Sequence, residues 1–119
     1  MEWKLTDDRP IWLQLAEQMT RRIITGVYPP GSRLPPVREL AGEAGVNPNT
    51  MQRALAQLEQ DGLTKADRTA GRLVTQDTGV LDAVRRTSAR EIINQYFDAM
   101  AELGYTRSQA GALLEEDME

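Results

Sequence analysis

The sequence has 119 residues, is 40% hydrophobic and contains neither cysteine nor histidine, which excludes disulfides, Cys/His metal sites, cysteine nucleophiles and histidine bases together. No apolar run approaches the roughly 20 residues of a membrane span, and Met1-Glu2-Trp3-Lys4 lacks the layout of a signal peptide, so a compact domain with an appendage is expected, in a reducing cytoplasm with no membrane. The net charge of −4 is uneven: residues 31 to 76 carry six basic and five acidic side chains and residues 77 to 119 carry four and nine, so the acidity sits in the tail and leaves the middle free to face DNA.

Residues 1 to 9 read as an extended lead-in, with Trp3 and Leu5 alternating against charged neighbours. Pro10 suits the first turn of a helix. Ile11, Leu15, Met19 and Ile23 follow at four-residue spacing, widened by Trp12, Ala16 and Ile24, and Gly26 ends the run. Arg21 and Arg22 on that helix read either as a solvated face or as a pair near phosphate. The stretch from Tyr28 to Pro36 cannot be helical, because its prolines remove donors and restrict the residues before them. It reads as a rigid connection in which Leu34 plugs the core.

Val37 to Ala44 predict a short helix, and Ala44-Gly45-Val46 a tight turn into a second one. Asn47 is a strong N-cap, Pro48 fits the first helical position, and Gly62 supplies the stop. Met51, Ala54, Leu55 and Leu58 form the apolar stripe. The opposite face opens with Asn49, Thr50, Gln52 and Arg53, whose amide and guanidinium groups can pair with base edges or phosphate in the major groove. Alone, this helix also reads as an ordinary amphipathic surface helix. The preceding helix and Gly turn make the pair a helix-turn-helix. Arg38, at the start of the short helix, reads on its own as one side of an ion pair with Glu39 or another acid.

Residues 63 to 75 predict a hairpin: Leu63 to Ala66, a turn over Asp67 to Gly71, and Arg72 to Thr75. Arg68 and Arg72 flank Gly71 and suit phosphates or a narrow minor groove, the alternative being a solvated tip. Gln76-Asp77-Thr78-Gly79 is a break, giving domains over 1–76 and 77–119. Beyond it, Leu81, Val84, Ser88, Ile92, Tyr96 and Leu103 share a helical face, with Ile93, Phe97 and Met100 beside it, over a helix from Val80 to Leu103 ended by Gly104. Thr106 to Gln109 fit a capping box opening a final helix with Ala110, Leu113 and Leu114 inward. Such a hairpin is too small to bury both faces alone. Its expected partner is a second copy, through Leu81, Val84, Ile92, Tyr96 and Met100; its own first domain is the alternative. No cofactor is expected, and no metal at Glu115, Glu116 and Asp117, since consecutive acids on a helix diverge.

Pro30-Gly31-Ser32-Arg33-Leu34-Pro35-Pro36-Val37-Arg38-Glu39-Leu40-Ala41, followed by Gly45-Val46, Asn49-Thr50, Arg53-Ala54 and Leu58 to Gly62-Leu63, resembles the winged-helix DNA-binding domain of GntR-family bacterial transcription regulators. The resemblance covers roughly residues 9 to 76, with several positions agreeing at fixed spacing. The chain length and Val46-Asn47-Pro48-Asn49-Thr50 resemble the short YtrA-like branch. The resemblance implies a mostly α fold with a small β-hairpin, a winged helix-turn-helix domain plus a C-terminal two-helix dimerisation segment. It further implies a homodimeric repressor that reads double-stranded operator DNA through a recognition helix (47–62) and a wing (63–75). Arg38, Asn47, Asn49, Thr50, Gln52, Arg53, Arg68, Gly71 and Arg72 are the implied DNA-binding residues.

The chain departs from the family at four places. Pro36 stands where a small polar cap is common, and Pro48 where many members carry arginine. Gln52 often corresponds to a basic residue, and Ala70 replaces the first of two wing glycines. The departure at position 36 implies a lost capping bond, and those at positions 48 and 52 imply a different operator sequence. The short tail leaves little room for a pocket of about 300 Å³ within one subunit. A small-molecule effector would then lie between subunits near Tyr96, Phe97 and Tyr105, which otherwise read as dimer core. The alternative function is a winged-helix protein-interaction module whose acidic tail takes a basic partner, without specific DNA binding. An enzyme is not expected, because no spacing gathers the remaining Asp, Glu, Lys and Tyr residues.

Overall fold

The computed structural model describes residues 2 to 118. Five helices and a hairpin follow one another in chain order: α1 (Ile11–Ile24), α2 (Val37–Ala44), α3 (Pro48–Gln60), β1 (Thr64–Asp67), β2 (Gly71–Val74), α4 (Thr78–Glu102) and α5 (Arg107–Asp117). Two compact units divide after Asp82, so the first turn of α4 belongs with the first unit.

In the first unit, α1 and α2 both pack on α3. Leu15, Met19 and Ile23 of α1, Leu40 and Ala41 of α2, and Met51, Ala54, Leu55 and Leu58 of α3 are all buried. Leu34 joins this core from the connection, as its sequence position suggests, and Leu63, Val74 and Leu81 are buried as well. Gly45 ends α2 at φ 72°, a left-handed conformation that only glycine adopts cheaply, and this makes the sharp turn into α3. Neither Pro10 nor Pro36 caps its helix through a side chain, so the capping bond implied for a small polar residue at position 36 is absent.

The hairpin is antiparallel, with Thr64 opposite Val74, Lys65 opposite Leu73, Ala66 opposite Arg72 and Asp67 opposite Gly71. Its strands run one residue later at β1 and one residue earlier at β2 than the sequence suggested. The connection before α2 is more than a spacer. Gly31 N–H donates to Val74 O at 2.9 Å, Val74 N–H to Ser32 O at 2.8 Å, and Leu34 N–H to Arg72 O at 2.9 Å, with an antiparallel bridge between Arg33 and Leu73. These bonds add a short third segment along the free edge of β2 and close it to further pairing. Three packed helices with a hairpin anchored in this way form a winged helix-turn-helix.

The extended start of the chain is held by glutamine side chains of α1. Gln14 accepts from Thr6 N–H at 2.8 Å and donates to Thr6 O at 2.8 Å, while Gln18 accepts from Lys4 N–H at 2.9 Å and donates to Lys4 O at 2.7 Å. Each carboxamide thus satisfies both backbone groups of one residue, as a neighbouring strand would. Arg22 departs from both of its expected roles. It is 4% exposed, with its guanidinium 4.0 Å from the Trp3 ring centroid and Nη1 donating to Tyr28 Oη at 3.0 Å and Glu43 Oε1 at 3.1 Å. It is a buried internal tie and is closed to phosphate, because partners distant in sequence surround it.

In the second unit, Thr106 and Gln109 form the expected capping box, with Gln109 N–H donating to Thr106 Oγ1 at 3.1 Å and Thr106 N–H to Gln109 Oε1 at 2.9 Å. Tyr96 Oη donates to Ala110 O at 2.7 Å, Tyr96 and Phe97 meet edge to face, and Arg107 lies over Phe97 with 4.3 Å to its centroid. The contacts from Tyr96 to Ala110 and from Arg107 to Phe97 fasten α4 to α5. Ala110 is buried and Leu113 half-buried, but Leu114 is 43% exposed instead of turned inward. Ile92, Ile93, Leu103 and Tyr105 are exposed as well. No helix of the described residues is long and apolar enough to cross a membrane.

Candidate nucleic-acid interface

The first turn of α3 is built by its cap. Asn47 Oδ1 accepts from Asn49 N–H at 2.8 Å, and Pro48 has no N–H to satisfy. Asn47 is therefore a structural cap first, its oxygen committed to the helix. Asn49, Gln52 and Arg53 are exposed and Thr50 is half-buried. No acidic residue stands in this turn, so no side-chain negative charge offsets the positive end of the helix dipole. The Arg53 guanidinium lies over the Trp12 ring of α1, 4.2 Å from its centroid. Arg38 is exposed in the first turn of α2, and no ion pair engages it among the described residues.

The wing is fixed to this helix. Glu59 Oε1, in the last turn of α3, accepts from Ala66 N–H at 3.0 Å. At the tip, Asp67 Oδ1 accepts from Thr69 N–H at 2.9 Å, Ala70 N–H at 3.0 Å and Thr69 Oγ1–H at 2.9 Å. The Ala70 and Thr69 backbone donors, with the Thr69 hydroxyl, hold the Asp67 carboxyl below its usual range. Gly71 follows at φ 80°, which a side chain at that position would strain. Thr69-Ala70 thus suffice for the turn, because Asp67 supplies the bonds that organise it.

The register sorts the wing's cations. Cross-strand partners share a face, so Arg33, Leu73 and Lys65 lie side by side on the outer face, and Arg72 lies on the other face with Thr64 and Val74. Arg68 is exposed at the turn, whereas Arg72 is half-buried, its Nε enclosed and without a partner among the described residues. Arg33 is exposed, and its Nε is 3.9 Å from where a side chain on Gly71 would begin. The sequence alone does not single out Arg33, because residues 28 to 36 read as a connection. The available signal was Arg33-Leu34, an exposed cation beside a core residue, in strand alternation.

The structure brings Asn47, Asn49, Thr50, Gln52 and Arg53 to one end of α3 and gathers Arg33, Arg68 and Gly71 at the wing. Leu81, expected at a dimer face, is 7% exposed and is taken up by the first unit's own core. Val84, Tyr96 and Met100 are half-buried, and Ile92 is 57% exposed. Among the described residues no cluster of acids could hold a metal.

A family model described as bacterial regulatory proteins, gntR family, matches residues 12–74. The HTH-type transcriptional regulator YhcF of Bacillus subtilis is 32% identical over 92% of this chain and 90% of its own length. The HTH-type transcriptional repressor YtrA of the same organism is 37% identical over 57% of this chain and 52% of its own. Among solved structures, a GntR family transcriptional regulator from Listeria monocytogenes superposes with a TM-score of 0.84 at 30% identity, covering 94% of this chain and 98% of that one. The AraR DNA-binding domain in complex with operator ORE1 superposes with a TM-score of 0.54 at 25% identity, covering 63% of this chain and 94% of that one.

Proposed function

Because the chain belongs to the GntR family of bacterial regulatory proteins, we propose that this transcription regulator is a homodimeric repressor that reads operator DNA with α3 and the wing. The observation that carries the reading is the capped, acid-free first turn of α3, which holds Asn49, Gln52 and Arg53 exposed at one end. Asn and Gln side chains can pair bidentately with adenine, and arginine with guanine or phosphate. Arg38, exposed at the start of α2, anchors the domain on the duplex, with Asn47 and Thr50 completing the contacts of the α3 tip. Gly71 and Arg68 engage from the wing, and Arg72, half-buried on the opposite face, would reach DNA only by the exposed end of its side chain. The operator complex of AraR and the repressor YtrA, both similar to this chain, support the DNA and repressor assignments.

The exposed apolar side chains of α4 and α5 support pairing of two copies through the second unit, which spaces two recognition helices over two half-sites. Tyr96 and Phe97 are already engaged in fastening α4 to α5. That favours a packing role for them over an effector site.

Fluorescence anisotropy tests the proposal, using duplexes tiled from the region upstream of the coding sequence at two salt concentrations. The expected result is tight binding to one tile, weakened by salt and by Arg38→Ala, with Gln52→Ala relaxing the preference between tiles. Failure to bind any duplex at low salt would overturn it and direct attention to a winged-helix protein-interaction module with an acidic tail.

A further inference from the structure

We propose that Trp12 is a positioning residue for DNA binding: its indole face holds the Arg53 guanidinium beside α3, where it meets a backbone phosphate. The inference rests on the duplex-binding reading above. At about 100° per residue, Asn49 and Arg53 are one turn apart and stand away from the buried stripe of Met51, Leu55 and Leu58. Trp12 is half-buried in the first turn of α1, and the Arg53 guanidinium carbon is 4.2 Å from its ring centroid. That places the cation to the α1 side of the recognition helix. The position suits the phosphates bordering a groove better than the base edges on its floor.

Two arginines of the first unit stack on tryptophan, and their surroundings separate their roles. Arg22, over Trp3, is buried and commits Nη1 to Tyr28 and Glu43. Arg53, over Trp12, is exposed, and no carboxylate pairs with it among the described residues. A guanidinium that stacks by its face keeps all its N–H donors free at the edge. The stack therefore fixes where the charge sits without using the groups that would bind phosphate. It also removes rotamer freedom before binding, which lowers the cost of ordering a long side chain on DNA. The first turn of α1 thereby becomes part of the reading head without touching a base.

The test is anisotropy binding to a mixed-sequence duplex at two salt concentrations. The proteins are wild type, Trp12→Leu, Trp12→Tyr, Arg53→Ala, Arg53→Lys and the Trp12→Leu/Arg53→Ala double variant, with folding checked by urea denaturation. Arg53→Ala is expected to weaken binding and make the salt slope shallower by about one. Trp12→Leu should weaken binding about two- to five-fold, as expected for an exposed cation–π contact. Trp12→Tyr should restore most of that loss, and Trp12→Leu should add nothing once Arg53 is alanine. Arg53→Lys keeps the charge without the planar stack, so it should share much of the loss, and this arm does not disturb Trp12. Equal losses from Trp12→Leu in both backgrounds, or full affinity in Arg53→Lys, would overturn the proposal while leaving the regulator reading intact. Absence of duplex binding by the wild type at low salt would overturn both.

Discussion

Glu43 and Arg22 meet at 3.1 Å across α1 and α2, and the same carboxylate oxygen accepts from Trp3 Nε1–H at 3.0 Å. This oxygen ties three separate parts of the first unit: the extended start, the first helix and the leading helix of the helix-turn-helix. Arg22 is buried, so removing its acceptor leaves a desolvated charge. Glu43→Ala should lower the unfolding free energy by about 1–3 kcal/mol, and Glu43→Gln, which keeps an acceptor, by less. Urea denaturation followed by tryptophan fluorescence measures both. An unchanged midpoint for Glu43→Ala would remove the tie from the account.

Asn47 caps α3, and the DNA contact proposed for it can be separated from that role. Asn47→Ala loses the bond to Asn49 N–H and should cost about 1 kcal/mol of stability along with affinity. Asn47→Asp keeps a capping oxygen and should keep that stability, yet place a negative charge against phosphate. Thermal unfolding alongside anisotropy titration separates them. Equal affinity for Asn47→Asp and wild type would place Asn47 away from the DNA.

The wing turn should respond to acid. Asp67 is held below its usual carboxyl range by the Ala70 and Thr69 amides, so its ionised form is favoured in the folded turn. Its contribution is complete above the unfolded value of about 3.9 and is lost as pH falls through the lower folded value. Amide chemical shifts of Thr69 and Ala70 should therefore titrate together below that value. Asp67→Asn, which keeps an acceptor but cannot ionise, should abolish the titration.

Association and folding should respond to different leucine and isoleucine positions. Ile92→Glu places a charge on a residue that is 57% exposed and should leave the subunit folded while shifting sedimentation from dimer to monomer. Leu81→Glu places a charge in the first unit's core and should reduce stability by several kcal/mol, as unpaired buried charges do. A dimeric Ile92→Glu would move the subunit contact off this face.

The helix-turn-helix was legible because its signals are local. Asn47-Pro48, Gly45 and the stripe from Met51 to Leu58 each act within one or two turns of the chain. The pairing of residues 31 to 34 with β2 was hidden because its partners lie some forty residues away, and the surrounding prolines argue against any strand. Arg22 misled for the same reason: Glu43 is 21 residues distant, and a paired arginine looks like a solvated one in sequence. Arg33 was missed with its strand. Leu114 was read inward from periodicity, which identifies an apolar face without saying what covers it.

The bond from Glu59 to Ala66 gives the reading surface the character of a caliper. One jaw is the tip of α3 and the other is the wing, and this carboxylate sets their opening from the helix's far end. On the proposed reading, a chain so gauged would measure the breadth of a groove as well as its letters, and sequences that pinch or splay the duplex would be sorted before any base is touched.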